Sequence, residues 1–369
     1  MSKSFDLKTI AFYLPQYHPI PENDTWWGKG FTEWTNVAKS KPLFPGHYQP
    51  HIPADLGFYD LRLPEVRQAQ ADLAKFYGIS GFCYYHYWFN GSRLLERPFN
   101  EVLSSGEPDF PFCLCWANET WSRRWLGEET NILQKQSYSH EDDLNHIRSL
   151  MPAFADPRYI QIKGRPLFLV YRPLDLPEPM RMVETFKNEC IKSGLPEPYL
   201  MGVDAHSPGV NFEKIGFDGT LVFEPQLGVL PDFMNDGISM SKLSRNLKLG
   251  IASSKLKIYD YAEARQLMLD RKRDFPTHPC IFVSWDNTPR RGENAIIAVK
   301  STPEIFEAGL EEMVNSLINK PHDERILFIN AWNEWAEGNY LEPDLKYGTQ
   351  YLEAVKRVIL QPVEEVAKC

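Results

Sequence analysis

The feature that most constrains the fold is an alternation. Eight short, β-rich apolar runs fall at residues 9–14, 81–87, 112–116, 167–171, 199–203, 219–223, 280–285 and 326–331, with stretches of helical character between them. Most are continuous apolar runs, as parallel strands buried on both faces require. Helices are predicted over 63–77, 140–151, 178–193, 255–270, 303–318 and 348–360. The first has Pro64 in its opening turn and Gly78 after its end, and the fifth follows Thr302, a suitable N-cap. Eight such β–α alternations predict a (β/α)8 TIM barrel, with residues 1–369 as one domain. An open doubly wound sheet fits less well. No G-x-G-x-x-G follows the first run, and Gly28-Lys29-Gly30 leads into a Trp-rich loop. Residues 15–60 hold seven prolines and no periodicity, and a long loop after a barrel strand is usually functional.

Composition narrows the partners. The net charge of −9 disfavours nucleic acid, and no apolar run approaches the roughly eighteen residues of a membrane span. The first ten residues have two lysines and no apolar core, so no signal peptide is expected. Six cysteines are too few for a disulfide scaffold. Cys113 and Cys115 alternate on one strand face as buried thiols, Cys369 is terminal, and a cytoplasmic location is expected. His47 and His51 lie among prolines, which spoils a helical metal-ligand pair. No metal or cofactor is expected.

A barrel carries its chemistry at the C-terminal ends of its strands. The residues there include Tyr13 and Gln16; His86 and Tyr87; Trp116, Asn118 and Glu119; Tyr171; Glu224; Trp285 and Asp286; and Asn333, Glu334, Trp335 and Glu337. Carboxylates, amides and indoles dominate. Carboxylates do acid–base work, amides read hydroxyls, and rings stack on sugars, so the expected partner is an oligosaccharide or polysaccharide. A phosphate pocket would need clustered cations, and only Arg123-Arg124 and Arg290-Arg291 are paired in these loops. Trp116, Trp121 and Trp125 are candidates for a sugar platform, and His86 for a hydroxyl contact. Each also reads as core or as a structural hydrogen bond.

Glu334 and Glu337 are the sharpest pair. A helical turn after the eighth strand would put i and i+3 side chains on one face, about 5–6 Å apart at Cβ. Two carboxylates that close cannot both ionise freely, which leaves one acid and one base. A bland alternative is a helix cap followed by a surface glutamate. Serine-hydrolase chemistry has no support, because no G-x-S-x-G is present.

Several motifs resemble the WbsX family across almost the whole chain. They are Phe12-Tyr13-Leu14-Pro15-Gln16-Tyr17-His18, Trp26-Trp27-Gly28-Lys29-Gly30-Phe31-Thr32-Glu33-Trp34 and Gly46-His47-Tyr48-Gln49-Pro50. With them go Gly81-Phe82-Cys83-Tyr84-Tyr85-His86-Tyr87-Trp88-Phe89, Cys115-Trp116-Ala117-Asn118-Glu119 and Asn333-Glu334-Trp335-Ala336-Glu337-Gly338. The family accompanies bacterial surface-polysaccharide genes and is related to glycoside hydrolase family 99, the endo-α-mannosidase barrels. The resemblance implies substrate contacts from Trp27, Glu33 and Trp34. It implies that Glu337 protonates the leaving oxygen and later activates water. It also implies that Glu334 deprotonates the sugar 2-hydroxyl, which closes on C1 with net retention, as an axial 2-hydroxyl allows in mannose. Ala336 departs from the His usual in family 99, as does the sequence Asn339-Tyr340-Leu341-Glu342.

Three functions therefore stand at this point: a retaining glycoside hydrolase or transglycosylase, a glycosyltransferase of O-antigen or capsule synthesis, and a non-catalytic carbohydrate-binding barrel. Against a nucleotide-sugar transferase, none of the 20 Asp residues forms D-x-D.

Overall fold

The computed structural model of the protein describes residues 7–123, 128–206, 209–231, 255–271 and 273–360. Arg124, Trp125 and Cys369 lie outside them. Eight parallel strands close a barrel: β1 (Lys8–Tyr13), β2 (Gly81–Phe89), β3 (Phe112–Trp116), β4 (Arg165–Val170), β5 (Tyr199–Asp204), β6 (Gly219–Val222), β7 (His278–Phe282) and β8 (Ile326–Asn330). Each pairs with its sequence neighbours, and β1 pairs with both β2 and β8, with Ala11 facing Phe82 on one side and Ile329 on the other. This is a (β/α)8 TIM barrel.

Side-chain direction follows the period of two along each strand. On β2, His86 and Trp88 turn outward onto the helix His140–Phe154, where they meet His146 and Asp142. Cys83, Tyr85 and Tyr87 therefore turn inward, and Tyr85 stacks on Phe12 of β1 at 5.5 Å between centroids. Phe12 also packs on Phe328 of the neighbouring β8 and on Phe223 just past β6, filling the barrel with rings. All five described cysteines are free and buried.

The outer helices include Pro64–Phe76, His140–Phe154, Pro179–Lys192 and Pro303–Leu317, close to their predicted spans. The Thr302 side chain accepts from the Ile305 N–H, as an N-cap does. Three expectations are corrected. The span 255–270 opens as a strand, Lys257–Asp260, and only Tyr261–Leu269 is helical, capped by Asp260. Trp285 leaves the seventh barrel strand and pairs with Ala298 in a separate three-stranded sheet. The loop after β1 holds the helices Pro21–Trp27 and Glu33–Lys39, each of seven residues and too short to express a helical period. Helix Arg97–Ser105 was unpredicted, and after β5 the crossover is a 3-10 turn, Phe212–Ile215.

Candidate active site

The polypeptide after β8 forms a tight hairpin, not the helical turn expected. Asn333–Glu334 pairs antiparallel with Asn339–Tyr340, joined by a 3-10 turn over Trp335–Glu337. Asn333 dictates this path. Its Oδ1 accepts from the Leu14 N–H at 2.8 Å and its Nδ2 donates to the Leu14 carbonyl at 3.0 Å, so a side chain pairs the end of β1 as a strand would. Gly338 closes the hairpin at φ +58°, where a Cβ would stand 2.9 Å from that of Asp286.

The hairpin still brings Glu334 and Glu337 together, on one guanidinium. Arg290, in the one-turn helix Thr288–Arg291, reaches Glu334 Oε2 through Nη2 at 2.9 Å and Glu337 Oε1 through Nη1 at 2.6 Å. Its Nε donates to Glu33 Oε1 at 2.6 Å. Glu33 opens the helix Glu33–Lys39, placed there by its own N–H on the Gln16 carbonyl at 3.0 Å. Three loops, after β1, β7 and β8, thus each deliver one part of the cluster. Glu33 is fully buried, the Glu334 side chain is 7% exposed and that of Glu337 21%. Burial is the largest influence on both Glu334 and Glu337 and raises their pKa values, and Arg290 offsets this only in part. Glu334 is pushed up to about 8. One cation against three carboxylates leaves this pocket holding a proton at neutral pH.

Tyrosines of the inward strand faces surround the cluster. Tyr87 has its hydroxyl pKa raised by burial and then by Glu334, and Tyr171 by burial, then Glu119, then Glu337. Tyr85 feels Tyr171 and Glu334. Glu119 sits across the mouth, bound to Arg172 Nη1 at 2.6 Å. Trp121 packs edge-on against Tyr87 and Trp26.

Other sequence-predicted residues lie elsewhere, and period two explains most of them. Tyr13 faces outward and donates to Gln70 at 2.7 Å. His86 stacks on His146 beneath the helix layer, with its pKa lowered to about 3 by burial. Trp116 donates to the Trp88 carbonyl at 3.1 Å and faces the same helix. Glu224 points to Arg265 and Arg273 outside the barrel, and burial raises its pKa to about 8. Asn118 clips β3 to β4 by accepting from the Arg172 N–H at 2.8 Å and donating to its carbonyl at 2.9 Å. Trp34 donates to the Tyr59 carbonyl at 2.8 Å and packs on Trp335, which itself stacks on Tyr340 at 3.8 Å; both indoles are core beneath the hairpin. Trp27 is half-buried against Phe31 and under Arg123. Among the described residues, no group of three or more His, Cys, Asp or Glu side chains is arranged to hold a metal ion.

The family model described as "Glycosyltransferase WbsX" matches residues 9–355. The chain belongs to the WbsX glycosyltransferase family. These are glycan-active enzymes. The uncharacterized protein WxcX of Xanthomonas campestris pv. campestris is 42% identical over 365 residues, which are 95% of this chain and 49% of that protein. The chain thus spans about half the length of the curated relatives it matches. Among solved structures, a GH99 endo-α-mannosidase from Bacteroides thetaiotaomicron superposes with a TM-score of 0.56 at 13% identity, over 97% of each chain. A glycoside hydrolase-like protein gives 0.60 at 13% identity, over 98% of this chain and 96% of that one. At these identities the likeness concerns the fold.

The WbsX motifs acquire physical roles from the geometry. The motif at residues 46–50 supplies His47 and Gln49, whose Nε2 atoms lie 2.7 and 2.8 Å from Asp286 Oδ2. The motif at residues 26–34 supplies Glu33, and that at 333–338 the acid pair. Sequence reasoning missed Arg290 as the shared cation. The available signal was a paired basic residue in the loop after the seventh strand, among rim residues that are otherwise acidic. Tyr85 was also missed, although its alternation with Tyr87 places both on one strand face.

Proposed function

We propose that this WbsX chain is a retaining glycoside hydrolase or transglycosylase acting on a bacterial surface polysaccharide, with a manno-configured sugar at the cleaved bond. The observation that carries this reading is the convergence of Glu334 and Glu337 on neighbouring nitrogens of Arg290 at the barrel mouth. Two carboxyls held on neighbouring nitrogens of one guanidinium lie close together, as the pair of a retaining enzyme does. Burial favours the shared proton on Glu334 at rest, and the reaction uses the form in which it has moved to the more exposed Glu337, which donates it to the leaving oxygen. Ionised Glu334 takes the proton of the sugar 2-hydroxyl, whose oxygen closes on C1. Water, or in transfer a sugar hydroxyl, is then deprotonated by Glu337 and attacks C1, and as the C1–O2 bond breaks O2 takes its proton back from Glu334. Arg290 holds both carboxyls through the cycle, and Tyr85, Tyr87, Tyr171 and Glu119 contact the sugar. No cofactor enters. Buried, free cysteines fit a cytoplasmic location, and among the described residues no helix is long and apolar enough to cross a membrane.

The family's description favours a second reading, a glycosyltransferase of polysaccharide assembly. Titration with nucleotide sugars, with and without Mn²⁺, separates the two. The hydrolase reading expects no diphosphate-dependent binding in either condition, since the candidate site sets three carboxylates around one cation. Tight binding that requires the diphosphate would overturn it.

A further inference from the structure

Behind the Arg290 cluster lies another buried carboxylate, Asp286, which is 6% exposed. From sequence it is a candidate sugar contact, yet the protein itself occupies its oxygens. Oδ2 accepts from His47 Nε2 at 2.7 Å and from Gln49 Nε2 at 2.8 Å, and Oδ1 accepts from the Thr288 N–H at 3.0 Å. The other nitrogen of His47 fixes its tautomer. The Leu43 N–H donates to Nδ1 at 3.0 Å, so Nδ1 carries no proton and Nε2 does. His47 is therefore a neutral donor, stacked on Phe44 at 4.5 Å between centroids. Three donors suit a carboxylate rather than a carboxylic acid. Burial acts to raise the Asp286 pKa, but His47, His51 and Thr288 together outweigh it and hold the carboxyl below its usual value.

The contacts of Asp286 lead to every arm of the acid cluster. Thr288 opens the one-turn helix whose third residue is Arg290, and Asp286 ties down its N–H. Gln49 carries a link towards Glu33. Its Oε1 lies 2.8 Å from the Ser40 hydroxyl, and Ser40 ends the helix that Glu33 opens. On a third side Asp286 packs on Gly338, the residue after Glu337. A Cβ on Gly338 would stand 3.1 Å from the Asp286 backbone nitrogen as well as 2.9 Å from its Cβ. A helix of one turn has no internal ladder to hold its direction, so outside contacts must set it. Arg290 has a separate carboxylate on each of three nitrogens, and a small swing of its turn would break at least one of those bonds.

We propose that Asp286 is a positioning residue that, braced by His47 and Gln49, aims the Arg290 guanidinium at Glu334 and Glu337. The proposal rests on the glycan-cleaving reading for what the acid pair does, but its test reads how the pair is held and needs no turnover.

The groups that face the pair are Glu33, Arg290 and Arg291, with the hydroxyls of Tyr17, Tyr85, Tyr87 and Tyr171. Those that face Asp286 are His47 and His51. The test is a carboxyl ¹³C NMR titration of the full chain labelled at glutamate Cδ. Glu334→Gln and Glu337→Gln identify the two signals by their loss. Arg290→Met should raise the titration of the pair. Asp286→Asn sets an amide N–H against other donors, loosens the turn, and should raise it too, by about half a pH unit or more. The double variant should titrate no higher than Arg290→Met alone, because both changes act through one guanidinium. Loss of the Asp286 charge acting directly on the pair would have the opposite sign and lower the titration. A purely structural Asp286 would depress the thermal midpoint and leave the titration in place. An unmoved or lowered titration in Asp286→Asn, or additive shifts in the double variant, overturns the proposal. His47→Phe keeps the ring on Phe44 and the charge on Asp286 but removes a donor. It should raise the titration as well, and it decides the matter if Asp286→Asn does not fold. A pair that titrates as described in a chain that cleaves no polysaccharide would sink the catalytic reading and leave Asp286 as the residue that positions Arg290.

Discussion

Arg290 joins three carboxylates, and each nitrogen of its guanidinium has a different partner. Burying such a group costs several kcal/mol per ion, and a fold without use for it would be at least as stable with apolar residues there. Its charge instead sets where the acid pair titrates. Removing the cation by Arg290→Met takes away the main force lowering the pKa of Glu334 and Glu337, so their pKa values rise further and the alkaline limb of the kcat/KM profile moves to higher pH. Glu33 raises both, so Glu33→Gln moves the same limb to lower pH. Opposite displacements in the two pH–rate profiles are the expected outcome, with rate losses of at least about tenfold in Arg290→Met from poorer positioning. Shifts of the same sign would contradict the arrangement. The residue scale is also where sequence reading was weakest. The acid pair was legible because E-x-x-E follows a buried strand amid Trp332, Asn333 and Trp335. The guanidinium between them was not, because Arg290 and Glu334 are 44 residues apart and only the closed barrel unites them.

Among the elements, the hairpin over residues 333–340 carries the proposed acid pair, and the Asn333 amide holds it to β1. Asn333→Ala leaves the Leu14 N–H and C=O unpaired in a fully buried setting, at roughly 1–3 kcal/mol for each. The expected outcome is a drop in the thermal midpoint by several degrees together with loss of activity, measured by calorimetry and by turnover. An unchanged midpoint would mean the clip does not matter. The eight strands were legible because most are continuous apolar runs, the pattern of burial on both faces. Facing direction was legible too, and unused. His86 and Tyr87 are adjacent on β2 and cannot both face the mouth, and the contact of His86 with His146 assigns the inward face to Tyr85 and Tyr87. Trp116 and Glu224 fail as site residues by the same parity. The short helices after β1 were not legible, since a seven-residue helix anchored by the Gln16 carbonyl owes its existence to tertiary contacts rather than to period.

Across the whole molecule, buried titratable groups set how stability depends on pH. Burial lowers His18 and His278 to about 4 and His86 to about 3, so below about pH 6.5 the unfolded chain binds protons that the folded one refuses. Burial raises Glu224 and Glu334 to about 8 and Glu342 to about 7, so above about pH 4.5 the folded chain keeps protons that the unfolded one has lost. Stability rises with pH where the unfolded state binds more protons and falls where the folded state does. The two sets oppose each other up to about pH 6.5, and beyond it only the acids act. The thermal midpoint should therefore fall from about pH 6.5 to 8.5, and Glu224→Gln should flatten that fall while leaving turnover unchanged, because Glu224 faces the helices. A midpoint that climbs over this range would refute the burial of these acids. The catalytic claim itself is tested most directly by ¹H NMR of the first glycosidic product released from a manno-configured bacterial surface polysaccharide, the proposed substrate. The account predicts a product anomer of the same configuration as the bond cleaved, formed roughly 10²–10⁴ times more slowly by Glu337→Gln. An inverted anomer, or a rate indifferent to that substitution, would contradict it.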